Sequence, residues 1–147
     1  MKEKVEKALS EYWDSADSKA LAKEVVIVSA CRTAIGAFGG SLRDMHATGI
    51  GSVAMKEAIQ RAGIDPKIID DVRFGCCMEP ADACNVARVG ALLAGIPEST
   101  PAVTINRVCI SGMEAVLSGM AMIQAGMADV ILAGGVALVV AQVAAIL

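Results

Sequence analysis

The chain has 147 residues, room for one ordinary domain with a core of its own. Hydrophobic residues make up 55% and aromatics only 3%, so the core must be aliphatic, which suits closely packed α/β layers better than a β-sandwich. Thirteen basic and sixteen acidic residues leave a net charge of −3 without a Lys/Arg cluster, which argues against nucleic acid as a partner. Five cysteines without CxxC spacing, beside a single histidine, supply a zinc site poorly and read as reduced thiols in the cytoplasm.

Residues 1–22 carry an apolar stripe at Val5, Leu9, Tyr12, Trp13, Ala16 and Ala20, the spacing of an amphipathic helix. This extension is expected to pack on the main body or on a partner subunit. It is too charged for a secretory signal and too acidic for a transit peptide. The apolar run Val25 to Val28 then predicts a strand covered on both faces. A loop from Ser29 to Gly40 follows, whose glycines lack the GxGxxG spacing of a dinucleotide site.

A helix is predicted from His46 to Ala62, with Ile50, Val53, Ala54, Ala58, Ile59 and Ala62 inward. Val72 to Cys76 is a strand, Asn85 to Ala94 a helix, Pro101 to Asn106 a strand, Ser111 to Ala125 a helix and Asp129 to Ala133 a strand. Gly63, Gly95 and Gly126 each stand where a left-handed residue ends a helix. Strands alternating with helices imply a layered α/β sheet with helices on its faces.

The helix beginning at Ser111 is apolar nearly all round, which predicts burial between layers. Cys109, just ahead of it, is then expected inside the protein, reached by a tunnel. Unpaired N–H groups and the positive end of the helix dipole favour thiolate there, while burial opposes it. Cys109 is thus a candidate nucleophile, with a structural thiol as the alternative. The small Ser111 and Gly112 would let an acyl group approach the sulfur.

His46 has no evident catalytic role, and Cys76, Cys77 and Cys84 read as core filling. Arg32 and Arg88 are candidates for phosphate contacts, structural pairing being the commoner fate of such residues. From Val130 to Leu147 the chain carries no charge, a length near the lower limit of a membrane span of about 20 residues. Gly134 and Gly135 interrupt the run and no basic anchor flanks it, so a buried strand with a further segment is the better reading.

Four stretches together resemble the thiolase family. They are Val26 to Gly40 with Cys31, Arg32, Thr33, Gly36 and Phe38; Asn85 to Arg88 with Ala94, Gly95 and Pro97; Asn106 to Gly112 around Cys109, with Ala115; and Ala133 to Gly135. The likeness implies the N-terminal half of a layered αβαβα sandwich, with a mixed sheet and a buried helix, dimeric or tetrameric when complete. It implies that Cys109 takes an acyl group from acyl-CoA and releases CoA. A second acyl-CoA carbanion then attacks the acyl-enzyme, or CoA cleaves a 3-ketoacyl-CoA in reverse.

The backbone N–H of Cys109 would help to hold the oxyanion. The strand Pro101–Asn106 would lie near the dimer interface. No metal or redox cofactor is implied, CoA thioesters being substrates. The family's activating histidine, second cysteine and Asn/His oxyanion site have no counterparts in this sequence.

The resemblance ends at Gly135, which divides the chain into the extension 1–22, an incomplete thiolase N-terminal domain 23–135, and an atypical apolar tail 136–147. Ala34 also stands where the family usually has Pro. The expectation is a truncated thiolase, inactive alone, which reading the coding DNA beyond codon 135 in all frames would test. The alternatives are a β-ketoacyl synthase-like condensing enzyme and a non-catalytic or split subunit that needs a second chain.

Overall fold

A computed structural model describes residues 24–137 and 140–146, together with positions 6, 7, 10 and 11. The predicted stripe from Val5 to Ala20 lies outside the described residues. The four described positions in that segment, Glu6, Lys7, Ser10 and Glu11, are helical and exposed.

In chain order the elements are β1 Ile27–Arg32, α1 Ala47–Ala62, β2 Asp71–Gly75, α2 Val86–Ala94, β3 Ala102–Ile105, α3 Ser111–Gln124, β4 Ile131–Ala137 and β5 Val140–Ile146. A single 3-10 turn, Pro66–Ile68, precedes β2. The strands form one sheet in the order β1-β5-β4-β2-β3. β2 runs parallel to β3 and β4, whereas β5 is antiparallel to both β4 and β1. The fold is therefore α/β on a mixed sheet, as expected.

Local chemistry sets the helix ends. The His46 side chain accepts from the Thr48 N–H at the start of α1, and Asn85 Oδ1 accepts from the Arg88 N–H at the start of α2. Gly63, Gly95 and Gly126 close the three helices with φ of 67°, 89° and 71°.

Side chains alternate across the strands and so divide the core in two. Val72 and Phe74 of β2 and Leu132 and Val136 of β4 pack with Ile50, Ala54 and Met55 of α1 and with Val86 of α2. Ile131 and Ala133 point the other way, where they meet Ile123 with Val116 and Met122 of α3. Among the described residues, α1 and α2 thus cover one face of the sheet and α3 covers part of the other.

Several expectations shift. Val53, predicted inward, is 56% exposed, because the 3.6-residue period turns Ile50, Gly51, Ala54 and Met55 to the sheet instead. The first strand lies further along than its apolar run suggested, and Val26, Ile27 and Val28 are exposed. β1 is an edge strand bonded on one side only, to β5, and with Ser29 buried between exposed Val28 and Ala30 it is not covered on both faces.

The segment 136–147 is no appendage: it ends β4 and supplies β5, which sits between β1 and β4. Cys76 is buried, as expected, whereas Cys77 is half-buried and Cys84 exposed. Most consequential is α3. It is covered by the sheet on one side, while Met113, Leu117 and Met120 are exposed on the other. Its all-round apolar composition predicted a second covering layer, and no element among the described residues supplies one. No helix among them is long and apolar enough to cross a membrane.

Candidate active site

The turn between β3 and α3 is built by two side chains. Asn106 Oδ1 accepts from the Val108 N–H at 3.1 Å, while its Nδ2 donates to the Cys77 carbonyl at 3.3 Å across the sheet end. Ser111 Oγ donates to the Val108 carbonyl at 2.6 Å and accepts from the Arg107 N–H at 2.8 Å. The Arg107 guanidinium pairs with the Glu114 carboxylate one turn into α3. Ser111 is thus a brace for the turn, not merely a small residue that leaves room.

Within this frame Val108 adopts φ 54°, a left-handed conformation that costs a β-branched residue about 1–3 kcal/mol. The strain persists because the bonds around it over-determine the turn. It presents Cys109, the next residue, at the surface just ahead of α3. Nothing among the described residues lies over α3, and among them no tunnel encloses Cys109. No side chain caps the helix at Ile110, so the positive end of the dipole next to the thiol is not offset by a capping oxygen.

Below the turn, backbone rests on backbone. Gly75 ends β2 and pairs in register with Gly135 of β4. A Cβ at Gly75 would lie 2.3 Å from the Ser111 carbonyl carbon and 2.5 Å from the Gly112 nitrogen. One at Gly135 would lie 2.9 Å from the Gly112 Cα. These two glycines let the first turn of α3 settle directly onto the sheet. Further along, Arg73 donates to Ser118 Oγ at 2.9 Å and pairs with Asp71 at 3.1 Å, which pins the middle of the helix.

A cleft of about 810 Å³ opens beside the turn, lined among others by Cys109, Gly112, Gly135, Cys77, Cys31 and Arg32. That volume suits a small-molecule ligand. Cys31 donates to the Ala54 carbonyl at 3.1 Å, and burial pushes its pKa up. Burial does the same for Cys76, beneath the sheet end. Although three thiols line one cleft, no group of His, Cys, Asp and Glu among the described residues is arranged to hold a metal ion.

The remaining candidates lie elsewhere. His46 is outside the cleft lining and bonds to Thr48 Oγ1 and to Asp82 at 3.1 Å, which lowers the Asp82 pKa. Arg88 donates to the carbonyls of Thr100 and Glu98, both at 2.9 Å, and so fastens the exit of α2 instead of making an ion pair. Arg32 is exposed on the cleft wall. Sequence reasoning missed Gly75 and the cleft positions of Cys31 and Cys77. A glycine ending a strand was the only signal for the first, and the pairing of β1 with β5 had none.

Comparison with known proteins places the chain in a family. Residues 25–142 match the family described as "Thiolase, N-terminal domain", seven residues beyond Gly135. The acetyl-CoA acetyltransferase of Syntrophomonas wolfei is 49% identical over 115 residues, covering 78% of this chain and 29% of that protein. The crystal structure of the Bacillus anthracis acetyl-CoA acetyltransferase superposes with a TM-score of 0.75 at 39% identity, over 78% of this chain and 29% of the other. Human mitochondrial 3-ketoacyl-CoA thiolase, solved in complex with CoA, gives 0.72 at 40% identity, over 75% and 28%. The chain therefore spans less than a third of the length of the relatives it matches.

Proposed function

The chain belongs to the thiolase family, and on that footing we propose that Cys109 is an acyl-accepting nucleophile acting on CoA thioesters. The sulfur attacks the thioester carbonyl of an acyl-CoA, the oxyanion collapses, and CoA leaves as the thiol. The product is an acyl-Cys109 thioester. The α-carbanion of a second acyl-CoA then attacks that thioester, yielding 3-ketoacyl-CoA and free Cys109. Thiolysis is the same sequence reversed, with CoA as the attacking thiol. The backbone N–H of Cys109 is one oxyanion donor, next to the positive end of α3. Arg32, on the cleft wall, is available to a CoA phosphate.

The observation that carries this reading is the exposed Cys109 on a strained turn at the head of a helix, opening on a cleft of ligand size. His46 does not line the cleft and pairs with Asp82 instead. The activating base and the group that removes the α-proton are assigned to the part of the thiolase architecture that this chain does not match. The first half-reaction, acylation, is therefore the step expected of these residues. Assembly as a dimer or tetramer in the complete enzyme, with β3 at the interface, fits the position of β3 at the sheet edge.

Incubation with acetyl-CoA followed by intact mass and peptide mapping tests this. One acetyl group confined to Cys109, lost in Cys109→Ser, is the expected result. No adduct, alone or with a complementary thiolase chain, rejects the nucleophile and favours a non-catalytic interaction subunit. Met113, Leu117 and Met120, exposed on α3, support that second reading.

A further inference from the structure

Two cysteines flank the point where α3 rests on the sheet. That point is Gly75 against the backbone of Ser111 and Gly112. Cys77 follows Gly75 by two residues and Cys109 precedes Ser111 by two, so neither stands more than about 7 Å of chain from it. The Asn106 side chain ties the two legs together. Its Nδ2 donates to the Cys77 carbonyl at 3.3 Å, and its Oδ1 accepts from Val108, the residue before Cys109. The Cys76 N–H donates to the Ile105 carbonyl at 3.0 Å, which carries the pairing of β2 with β3 up to the turn.

Alternation along β2 decides which thiol faces Cys109. Phe74 and Cys76 enter the core under α1 and α2, whereas Arg73 reaches Ser118 of α3. Cys77 falls on the Arg73 side and lines the cleft together with Cys109. Cys31 contributes to the cleft wall, but its sulfur donates to the Ala54 carbonyl of α1, on the far face of the sheet. Cys84 is exposed and outside the cleft lining. Among the described residues, Cys77 is therefore the thiol placed to reach Cys109.

We propose that Cys77 and Cys109 form a reversible disulfide under hydrogen peroxide, with Cys77 as the resolving thiol. Cys109 reacts first, being exposed at the positive, uncapped end of α3. Its thiolate attacks one peroxide oxygen, the O–O bond breaks, and hydroxide leaves a sulfenic acid on Cys109. The hydroxide takes up the proton that the Cys109 thiol gave to solvent. The Cys77 sulfur then attacks the Cys109 sulfur, the S–O bond breaks, and water leaves with the Cys77 proton. The thiol pair loses two electrons and one peroxide becomes two waters. A disulfide spans Cα atoms about 4.4–6.8 Å apart; Cys77 lies past the end of β2 and Cys109 ahead of α3, so loop backbone on both sides can settle to that span. The bond forms whether or not Cys109 accepts acyl groups. Where it does, the disulfide blocks acylation and spares the sulfur the irreversible sulfinic state.

The test is to treat the reduced full chain with dilute peroxide, block free thiols with N-ethylmaleimide, and map peptides without reductant. The expected product is a monomer lighter by two hydrogens, in which fragmentation joins Cys77 to Cys109 and dithiothreitol restores both thiols. Cys84→Ser should keep the bond. Cys77→Ser should lose it, give a dimedone adduct at Cys109, and raise sulfinic acid there several-fold. A bond from Cys109 to Cys31, Cys76 or Cys84, a Cys109-linked dimer, or sulfinic acid at Cys109 without any bond in the parent chain would each overturn the proposal. Acetylation of Cys109 is read separately, so its failure rejects the acyl-acceptor reading and leaves the disulfide result standing.

Discussion

Gly75 shows how little space separates α3 from the sheet. Gly75→Ala places a methyl group 2.3 Å from the Ser111 carbonyl carbon, far inside van der Waals contact, so the helix must lift or the strand must shift. Overpacking of this kind costs about 1–3 kcal/mol. The urea midpoint should fall accordingly, and acetylation at Cys109 should fall further than stability alone explains, because the turn moves with the helix. Asp70 is a gentler case. Its carboxylate accepts from the Asp129 and Val130 N–H groups at 2.8 and 2.9 Å, and these bonds hold its pKa below the usual range. A depressed folded value means that the contribution is complete above the ordinary carboxylate range and is lost as pH falls through the lowered one. Urea midpoints measured across acid pH should therefore drop less steeply in Asp70→Asn than in the parent chain.

At the scale of elements, α2 depends on one asparagine that serves three partners. Asn85 caps the Arg88 N–H, accepts from Thr104 Oγ1 at 2.8 Å and donates to the Ala102 carbonyl at 3.0 Å, which ties the helix start to β3. Asn85→Ala should cost about 1–2 kcal/mol, the upper range for an N-cap, read from the thermal midpoint. This helix was legible in sequence because its signals are local: a capping residue, a 3.6-residue period and a closing glycine. The same logic found all three helices and placed Cys109 ahead of the third. It failed wherever the answer depended on a distant neighbour. Val26 and Ile27 look like interior strand residues, yet at the start of β1 no described element packs over them and they are exposed. The surroundings of α3 followed from composition alone only if a second layer closed over it.

Considered as a whole, the molecule is organised by β5, the element that sequence patterning assigned to a tail. Small and apolar residues from 136 onward lacked any turn signal strong enough to mark a hairpin, yet β5 bonds to both β4 and β1. Without it β1 has no partner in the sheet, and β1 carries Cys31 and Arg32 on the cleft wall. Removing residues 138–147 should therefore free β1 before it unfolds the β2–β3–β4 unit. Alkylation of Cys31 by iodoacetamide should accelerate by about an order of magnitude or more, as local opening replaces protection, while α1 and α2 keep their amide protection. Equal Cys31 rates in the two forms would show that β1 holds its place by packing on α1 alone.

The glycine pair beneath the turn gives the sulfur of Cys109 a fixed datum. The height of the first turn of α3 above the sheet is set where peptide touches peptide, and the Asn106 and Ser111 side chains carry that position on to the Cys109 turn. Aliphatic residues on the other face of the sheet take no part in that backbone contact. Only two positions, 75 and 135, need be kept bare.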